Sequence, residues 1–166
     1  MRPLRIAPLE PADRADWEPL ARGYKLFYRM PTSDAEYGAA WRRILARETV
    51  FGLGAKQDGR LIGIAHYLFH ASAWAERVCY LQDLYVVPEA RGRGAARALI
   101  EAVAKAAREA GAARCYWQTK QDNATARTLY DKVARFSGFI RYDYPMTSSP
   151  EARDDSLSST GDGRTR

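Results

Sequence analysis

The chain has 166 residues, of which 46% are hydrophobic and 28% charged, a composition that fits one folded domain of ordinary size. Its apolar runs are far shorter than the roughly 20 residues that cross a bilayer, and its two cysteines are too few for a disulfide framework. We therefore expect a cytoplasmic protein with no membrane partner, and with no metal, since Cys and His do not cluster. The net charge of +6, with 21 arginines among 26 basic residues, favours an anionic partner: a nucleic acid, an anionic surface or a phosphorylated small molecule. A solvated basic surface is the alternative.

Hydrophobic periodicity divides the chain into alternating strands and helices. The predicted strands are 4–8, 50–56, 60–69, 78–87, 114–118 and 139–144, and the predicted helices are 12–28, 34–47, 92–110 and 123–135. Asp58-Gly59 between two apolar runs indicates a hairpin. A hairpin followed by a helical crossover predicts an α/β (α+β) fold. Its mixed, mostly antiparallel sheet would be parallel only across the long helix and would carry helices on both faces.

The composition changes at Thr147, after which Ser, Asp, Arg, Thr and Gly dominate. Such a segment has too little apolar surface to offset its ordering entropy. We therefore predict a domain over residues 1–146 and a disordered tail over residues 147–166. Without that tail the chain carries 23 bases and 16 acids, a net charge of +7.

The turn before the longest predicted helix carries the clearest functional signal. Gly92 and Gly94 allow close approach of a ligand to the backbone, and a helix N-terminus offers unpaired N–H donors and a partial positive charge. Arg91, Arg93 and Arg97 stand where acids are normally favoured, which predicts a phosphate site. A Walker A loop would need Lys-Ser/Thr after the second glycine, and a dinucleotide fingerprint would need Gly or Ala at position 97.

Three motifs in order resemble the GNAT superfamily of N-acetyltransferases. They are the Arg91-Gly92-Arg93-Gly94-Ala95-Ala96 turn after a strand ending in Val-Pro, the segment Asn123-Ala124-Thr125-Ala126-Arg127-Thr128-Leu129-Tyr130, and Gly138-Phe139. The resemblance spans about residues 4 to 146. Gly63 to Phe69, Trp74 and Tyr80 to Leu84 further resemble the diamine acetyltransferase branch. Diamine-specific members tend to have two acids where this chain has Gln82-Asp83, which argues against a polycationic acceptor.

The resemblance implies the GNAT acyl-CoA N-acyltransferase fold and acetyl-CoA as cosubstrate. Its pyrophosphate would bind the turn amides, with Arg91 alongside, and its pantetheine arm would bind the preceding strand. The implied cofactor-binding residues are Leu84, Tyr85, Val86, Arg91, Gly92, Arg93, Gly94, Ala95, Ala96 and Asn123.

Tyr130 is the candidate proton donor to the departing thiolate, because it matches the family motif with Asn123 seven residues earlier. Without the motif it would be interpreted as a core aromatic, and Asn123 as a helix N-cap. Asp83, an acid within an apolar strand, is the candidate base or acceptor-orienting group, with an arginine ion pair as the alternative. His66 is interpreted either as a proton relay or as a satisfied core residue.

The acceptor pocket is expected between the first two helices and the sheet. Tyr28, Asp83 and Trp74 are the candidate substrate-binding residues, and Tyr24 and Phe27 are further candidates for its wall. The predicted function is transfer of acetyl from acetyl-CoA to a primary amine of a small molecule. The alternatives are a CoA-binding sensor domain, an enzyme acting on a protein lysine or N-terminus, and a nucleic-acid-binding module, which no helix-turn-helix pattern supports. Many family members are dimers, so a homodimer is an expectation.

Overall fold

A computed structural model of the chain describes residues 3–146. The residues up to Ala134 form one compact unit, and a second unit begins at Arg135. The strands are β1 (Arg5–Pro8), β2 (Val50–Gln57), β3 (Arg60–Ser72), β4 (Ala75–Val86) and β5 (Cys115–Tyr116). The helices are α1 (Arg14–Phe27), α2 (Asp34–Ala46), α3 (Ala95–Glu109) and α4 (Ala124–Val133), and short 3-10 turns cover Pro11–Asp13 and Pro88–Ala90.

The five strands form one mixed sheet in the order β1-β2-β3-β4-β5. The first four are antiparallel neighbours, and β5 pairs parallel to β4 after the α3 crossover. The predicted sheet arrangement is therefore confirmed. The hairpin turn at Asp58-Gly59 also forms, with positive φ angles of 51° and 82°.

Helices cover both faces of the sheet, and each face has its own apolar core. One core joins α3 to the sheet through residues such as Leu99, Val103 and Leu81. The other joins α1 and α2 to the opposite face through Trp17 and Trp41. The 3.6-residue spacing of the apolar positions in α3 accounts for this burial, because it places them on one face of the helix.

A β-bulge at Gln82 changes which face of the sheet the side chains of β4 occupy. Leu81 is opposite Tyr67 and Asp83 is opposite His66, so Gln82 is an extra residue on β4. Leu81 consequently lies in the α3 core, whereas Tyr85 packs with the α1–α2 core. A regular two-residue alternation would place Leu81, Asp83 and Tyr85 on one face, and the bulge separates Leu81 from the other two.

The predicted last strand at 139–144 is also wrong. Residues 135–146 contain no helix or strand, and the side chains of Phe139 and Tyr142 are exposed. Alternation of apolar and charged residues indicates only that the side chains could lie on two different faces. A strand also requires a neighbouring strand to which its backbone can hydrogen-bond. The predicted tail lies outside the described residues. Within residues 3–146, the helices are too short or too polar to cross a bilayer.

Candidate functional site

Strands β4 and β5 pair over only two residues each and then separate. The paired positions are Cys79 with Cys115 and Tyr80 with Tyr116. Further along β4, the N–H of Val87 donates to Ile62 O at 3.0 Å, which fixes the phase of the antiparallel ladder with β3. The backbone groups of Leu84 and Val86 therefore point away from β3, towards the side where β5 has ended. Those of Tyr85 point towards β3.

The turn that follows β4 has the backbone expected of an anion-binding turn. Gly92 and Gly94 have φ angles of 75° and 88°, a region that favours glycine, and Gly94 is the N-cap of α3. The first turn of α3 contains no acid. Within residues 3–146, and apart from the adjacent residues of the chain, no protein atom lies within 4 Å of the position that a Cβ would take on either glycine. Amides at a helix N-terminus beside such open space fit the diphosphate of a CoA thioester.

Arg91 is folded back onto the end of β4. Its Nε donates to Val86 O at 3.0 Å, and its guanidinium lies 5.7 Å from the ring centroid of Tyr85. These contacts occupy the carbonyl of Val86, one of the predicted cofactor-binding groups. The Arg91 side chain therefore links the turn to the end of β4, and its guanidinium charge lies beside the N-terminus of α3.

A narrow cleft of about 20 Å³ opens between α1, β4 and α4. It is lined by Tyr24, Tyr28, Leu81, Gln82, Leu84, Trp117, Gln118 and Tyr130. Leu84 lines the cleft and lies on the part of β4 that has no β5 partner, so the cleft reaches the gap where these two strands separate. Tyr28 lines this cleft, whereas Trp74 occupies the turn between β3 and β4 and is 96% exposed. The acceptor pocket was expected between the first two helices and the sheet, and the cleft lies between α1, β4 and α4 instead.

Tyr130 lies in the cleft wall and contacts Trp117 edge to face, with the ring centroids 5.4 Å apart. Burial, reinforced by the nearby Tyr28, raises the pKa of Tyr130 to about 12. Asn123 caps α4 by accepting from the N–H of Ala126 at 3.4 Å, and its Nδ2 donates to the Thr119 hydroxyl at 3.0 Å. Both ends of the Asn123 side chain therefore hold the helix that carries Tyr130.

Asp83 does not line the cleft but lies behind Tyr24. Its Oδ2 is 2.8 Å from Nδ1 of His66. Burial opposes its ionisation, but the hydrogen bond from His66, the nearby hydroxyl of Tyr24 and the charge of Lys25 hold the pKa of Asp83 below its ordinary value. The arginine pairing considered for this acid is not formed, and a histidine stands in its place.

Tyr24 is the cleft residue most strongly affected by this carboxylate. Its hydroxyl donates to Gln82 O at 3.4 Å, and burial, with the charge of Asp83 next in effect, raises its pKa far above the ordinary value. The phenol therefore remains protonated.

Several site residues had no local signal in the sequence. Trp17 donates from Nε1 to Nε2 of His66 at 2.9 Å, although the two residues are 49 positions apart. Gln82, Trp117 and Gln118 line the cleft because of the bulge and the short β5. One sequence pattern could have revealed the pair of His66 and Asp83. It is an acid within an apolar strand that faces a histidine on the neighbouring strand of a hairpin.

Comparison with known proteins agrees with this geometry. A model of the acetyltransferase (GNAT) family matches residues 17–136. A D-amino-acid N-acetyltransferase of Saccharomyces cerevisiae is 39% identical over 142 residues, covering 82% of this chain and 88% of the yeast protein. A thialysine N-epsilon-acetyltransferase of Bos taurus is 29% identical over 116 residues, covering 70% and 68% respectively.

The fold is shared with solved enzymes of more distant sequence. The structure of an aminoglycoside N-acetyltransferase in complex with CoA matches with a TM-score of 0.78 at 19% identity, covering 87% of this chain and 96% of that one. The fold and the sequence matches define an acetyltransferase. The chain belongs to the GNAT family, and it is an N-acetyltransferase enzyme. The resemblance drawn from its three motifs is thereby confirmed.

Proposed function

We propose that the protein transfers the acetyl group of acetyl-CoA to the primary amine of a small amino-acid-like molecule. The observation that carries this proposal is the cleft itself, which reaches the gap beyond β5 at Leu84. It has a protonated phenol, Tyr130, in one wall and Tyr24 in another, with the carboxylate of Asp83 behind Tyr24. Those are the groups that an amine attacking a thioester requires: a proton donor for the leaving sulfur and an anionic centre for the acceptor.

The cosubstrate would be held by backbone groups. Acetyl-CoA supplies an activated thioester carbonyl. The amides of the turn from Gly92 to Ala96 bind its diphosphate with the help of the α3 dipole. The outward-facing backbone of Leu84 and the N–H of Val86, whose carbonyl is occupied by Arg91, bind the acyl-bearing arm. The backbone of Tyr85, predicted to join them, is directed towards β3 instead.

Asp83 acts as an orienting charge rather than as a base. A carboxyl whose pKa lies below its usual range is a weak proton acceptor near neutral pH, but it is a strong attractor for an ammonium. Tyr24 transmits this attraction, because it lines the cleft and is coupled to Asp83, and its oxygen can accept from the acceptor amine. The ammonium of the acceptor loses one proton to water before attack. As the C–N bond forms and the C–S bond breaks, the nitrogen releases a second proton to water, Tyr130 protonates the departing sulfur, and water restores the proton of Tyr130.

Positive charge at the cleft favours an acceptor that also carries a carboxylate. Lys120 Nζ lies 5.8 Å from the ring centroid of Tyr28, and Lys25 is close enough to lower the pKa of Asp83. Asp83 together with these two lysines suits an amino acid better than a polyamine, whose several positive charges would be repelled by the lysines. The relatives named for D-amino acids and thialysine act on molecules of the same kind.

An amine panel tests the proposal by release of free CoA thiol. We expect D- and L-amino acids and thialysine to be acetylated with higher kcat/KM than spermidine, an aminoglycoside or a lysine-containing peptide. Preference for the peptide would indicate a protein acceptor instead. Tight acetyl-CoA binding without turnover of any amine would indicate a CoA-binding sensor.

A further inference from the structure

Three polar side chains form a hydrogen-bonded chain that begins on α1. Trp17 Nε1 donates to His66 Nε2 at 2.9 Å, and His66 Nδ1 lies 2.8 Å from Asp83 Oδ2. Asp83 in turn acts electrostatically on Tyr24, whose hydroxyl donates to the adjacent Gln82 O at 3.4 Å. Trp17 is 1% exposed and His66 is 6% exposed. The chain therefore joins the interior of the α1–α2 core to the wall of the cleft.

The chemistry of the indole fixes the proton on His66. An indole N–H can only donate, so Nε2 of His66 must be an acceptor with no proton of its own. The neutral ring then carries its proton on Nδ1, where it donates to Asp83. Only this tautomer satisfies both contacts, so Trp17 determines how His66 meets the carboxylate.

We propose that Trp17 and His66 are positioning residues that hold the Asp83 carboxylate in one orientation against Tyr24, and thereby set the affinity for the acceptor amine. This inference rests on the proposed function. His66 occupies one carboxylate oxygen, which leaves the remaining lone pairs of Asp83 for Tyr24 and for the charge of the amine.

Stability alone gives no reason for this arrangement. Burying a carboxylate and two polar rings is costly, and apolar side chains of similar volume in such places are often equally or more stabilising. The bulge at Gln82 is also needed to turn Asp83 towards α1, since the α3 side of the sheet would otherwise receive it. The chain ends at Asp83, which is next to Gln82 in β4 and raises the pKa of Tyr24, and both Gln82 and Tyr24 line the cleft, so the position of the carboxylate affects the site.

The tautomer can be measured directly in the wild-type protein. In ¹⁵N-histidine-labelled protein at pH 7.5, long-range ¹H–¹⁵N correlations should show His66 with a protonated Nδ1 and an unprotonated Nε2. His66→Gln identifies the resonance, and His70 serves as the internal comparison. A proton on Nε2 is incompatible with the Trp17 contact and would overturn the proposal.

The functional part is tested by separating KM from kcat. We expect His66→Leu to raise KM for the amine about tenfold or more, the loss expected for a hydrogen bond to a charged group, while KM for acetyl-CoA stays unchanged. His66→Gln can both accept from Trp17 and donate to Asp83, so it should recover most of the amine affinity. Trp17→Phe should show a smaller increase in the same KM.

The outcomes separate this inference from the proposed function. If His66→Leu lowers only the melting temperature and leaves both KM values unchanged, the positioning role is refuted while the acetyltransferase activity stands. If wild-type protein acetylates no amine, the proposed function fails, and the tautomer measurement still decides whether the hydrogen-bonded chain exists. If His66→Leu does not fold, the comparison of His66→Gln with Trp17→Phe replaces it, and unchanged amine KM in Trp17→Phe overturns the proposal.

Discussion

Tyr130 remains protonated at pH values where primary amines become neutral. Its pKa of about 12 lies above the ordinary value near 10, because the phenol is buried beside Trp117 and Tyr28. An amine and this phenol can therefore both be in their reactive forms at pH 8 to 10. We expect kcat/KM to rise with pH as the amine loses its proton, with no descending limb from Tyr130 below about pH 11. A descending limb centred near pH 9 would contradict this assignment.

Replacing Tyr130 by Phe removes the proton donor and keeps the ring that packs on Trp117. Because general acid catalysis typically contributes 10²- to 10⁴-fold, we expect kcat to fall by about 10²-fold while the dissociation constant for acetyl-CoA stays unchanged. Tyr116→Phe, which loses a hydroxyl outside the cleft, is the control. An unchanged kcat in Tyr130→Phe would leave the phenol with a packing role only.

The depressed pKa of Asp83 makes a prediction about acid stability. A carboxyl whose pKa is lower in the folded protein stabilises it above the unfolded pKa of about 3.9, and this contribution is lost as the pH falls through the folded value. Asp83→Asn removes it. We expect the variant to melt below wild type at pH 7, and the difference to shrink towards pH 3. Glu101→Gln, at an exposed position on α3, should show no such convergence.

At the scale of single residues, motif and helical spacing singled out side chains that the structure brings together in one cleft. Tyr130, Tyr28 and Tyr24, all named from the sequence, line this cleft, and their roles in it stay predictions. The coupling of Tyr24 to Asp83 was not predicted. The contact of Trp17 with His66 could not be predicted either, since it depends on how α1 crosses the sheet.

At the scale of elements, one glycine determines how closely α1 approaches β4. Gly23 lies inside α1, where Ala would usually be more stabilising by about 1 kcal/mol. A Cβ at Gly23 would, however, lie 2.5 Å from the hydroxyl oxygen and 2.7 Å from Cζ of Tyr85. The helix therefore carries glycine so that the Tyr85 ring fits beneath it.

This contact predicts that the effect of Gly23→Ala on the free energy of unfolding has opposite signs in the wild-type and Tyr85→Ala proteins. Gly23→Ala alone should lower the free energy of unfolding, because the Tyr85 ring must move or α1 must lift from the sheet. In a Tyr85→Ala background the same substitution should raise it by about 1 kcal/mol, since only the helix propensity remains. Urea denaturation of the four proteins measures the coupling. Equal effects in both backgrounds would show that the approach is not tight.

The two ends of α3 offer a matched pair of glycines. Gly94 precedes the helix and Gly111 follows it, both have positive φ angles, and neither has a protein atom near its missing Cβ. We expect Gly94→Glu and Gly111→Glu to cost similar backbone strain, about 1 kcal/mol or more. Only Gly94→Glu should abolish acetyl-CoA binding in titration calorimetry, by placing a carboxylate over the anion-binding amides. Equal affinities of the two variants for acetyl-CoA would show that the turn does not bind the cofactor.

Elements with strong periodicity or turn chemistry were predicted well, and those that depend on a neighbouring strand were not. The bounds of α3 were set by its apolar spacing and by Gly94 and Gly111. The bulge at Gln82 leaves no mark on the sequence of β4, because it depends on how β3 pairs with it. For the same reason the alternation at 139–144 predicted a strand that the structure does not contain.

At the scale of the whole molecule, the basic composition admits two kinds of anionic ligand. Residues 1–146 carry a net charge of +7, which would attract duplex DNA as well as a CoA thioester. Attraction to DNA is a matter of overall charge and weakens steeply with salt. Binding of a thioester at the α3 turn depends on particular amides, so it should persist when surface charges are screened.

A thermal-shift titration at two salt concentrations separates the two ligands. A ligand that binds only the folded protein, at a hundred times its dissociation constant, adds about 2.7 kcal/mol of stability, which corresponds to roughly 5 to 10 °C for a chain of this size. We expect acetyl-CoA to produce such a shift at both 50 and 300 mM salt. Duplex DNA should produce a small shift that disappears at the higher concentration, and it should not displace acetyl-CoA. A salt-resistant shift with DNA, or competition between the two, would instead place a nucleic acid at the basic turn.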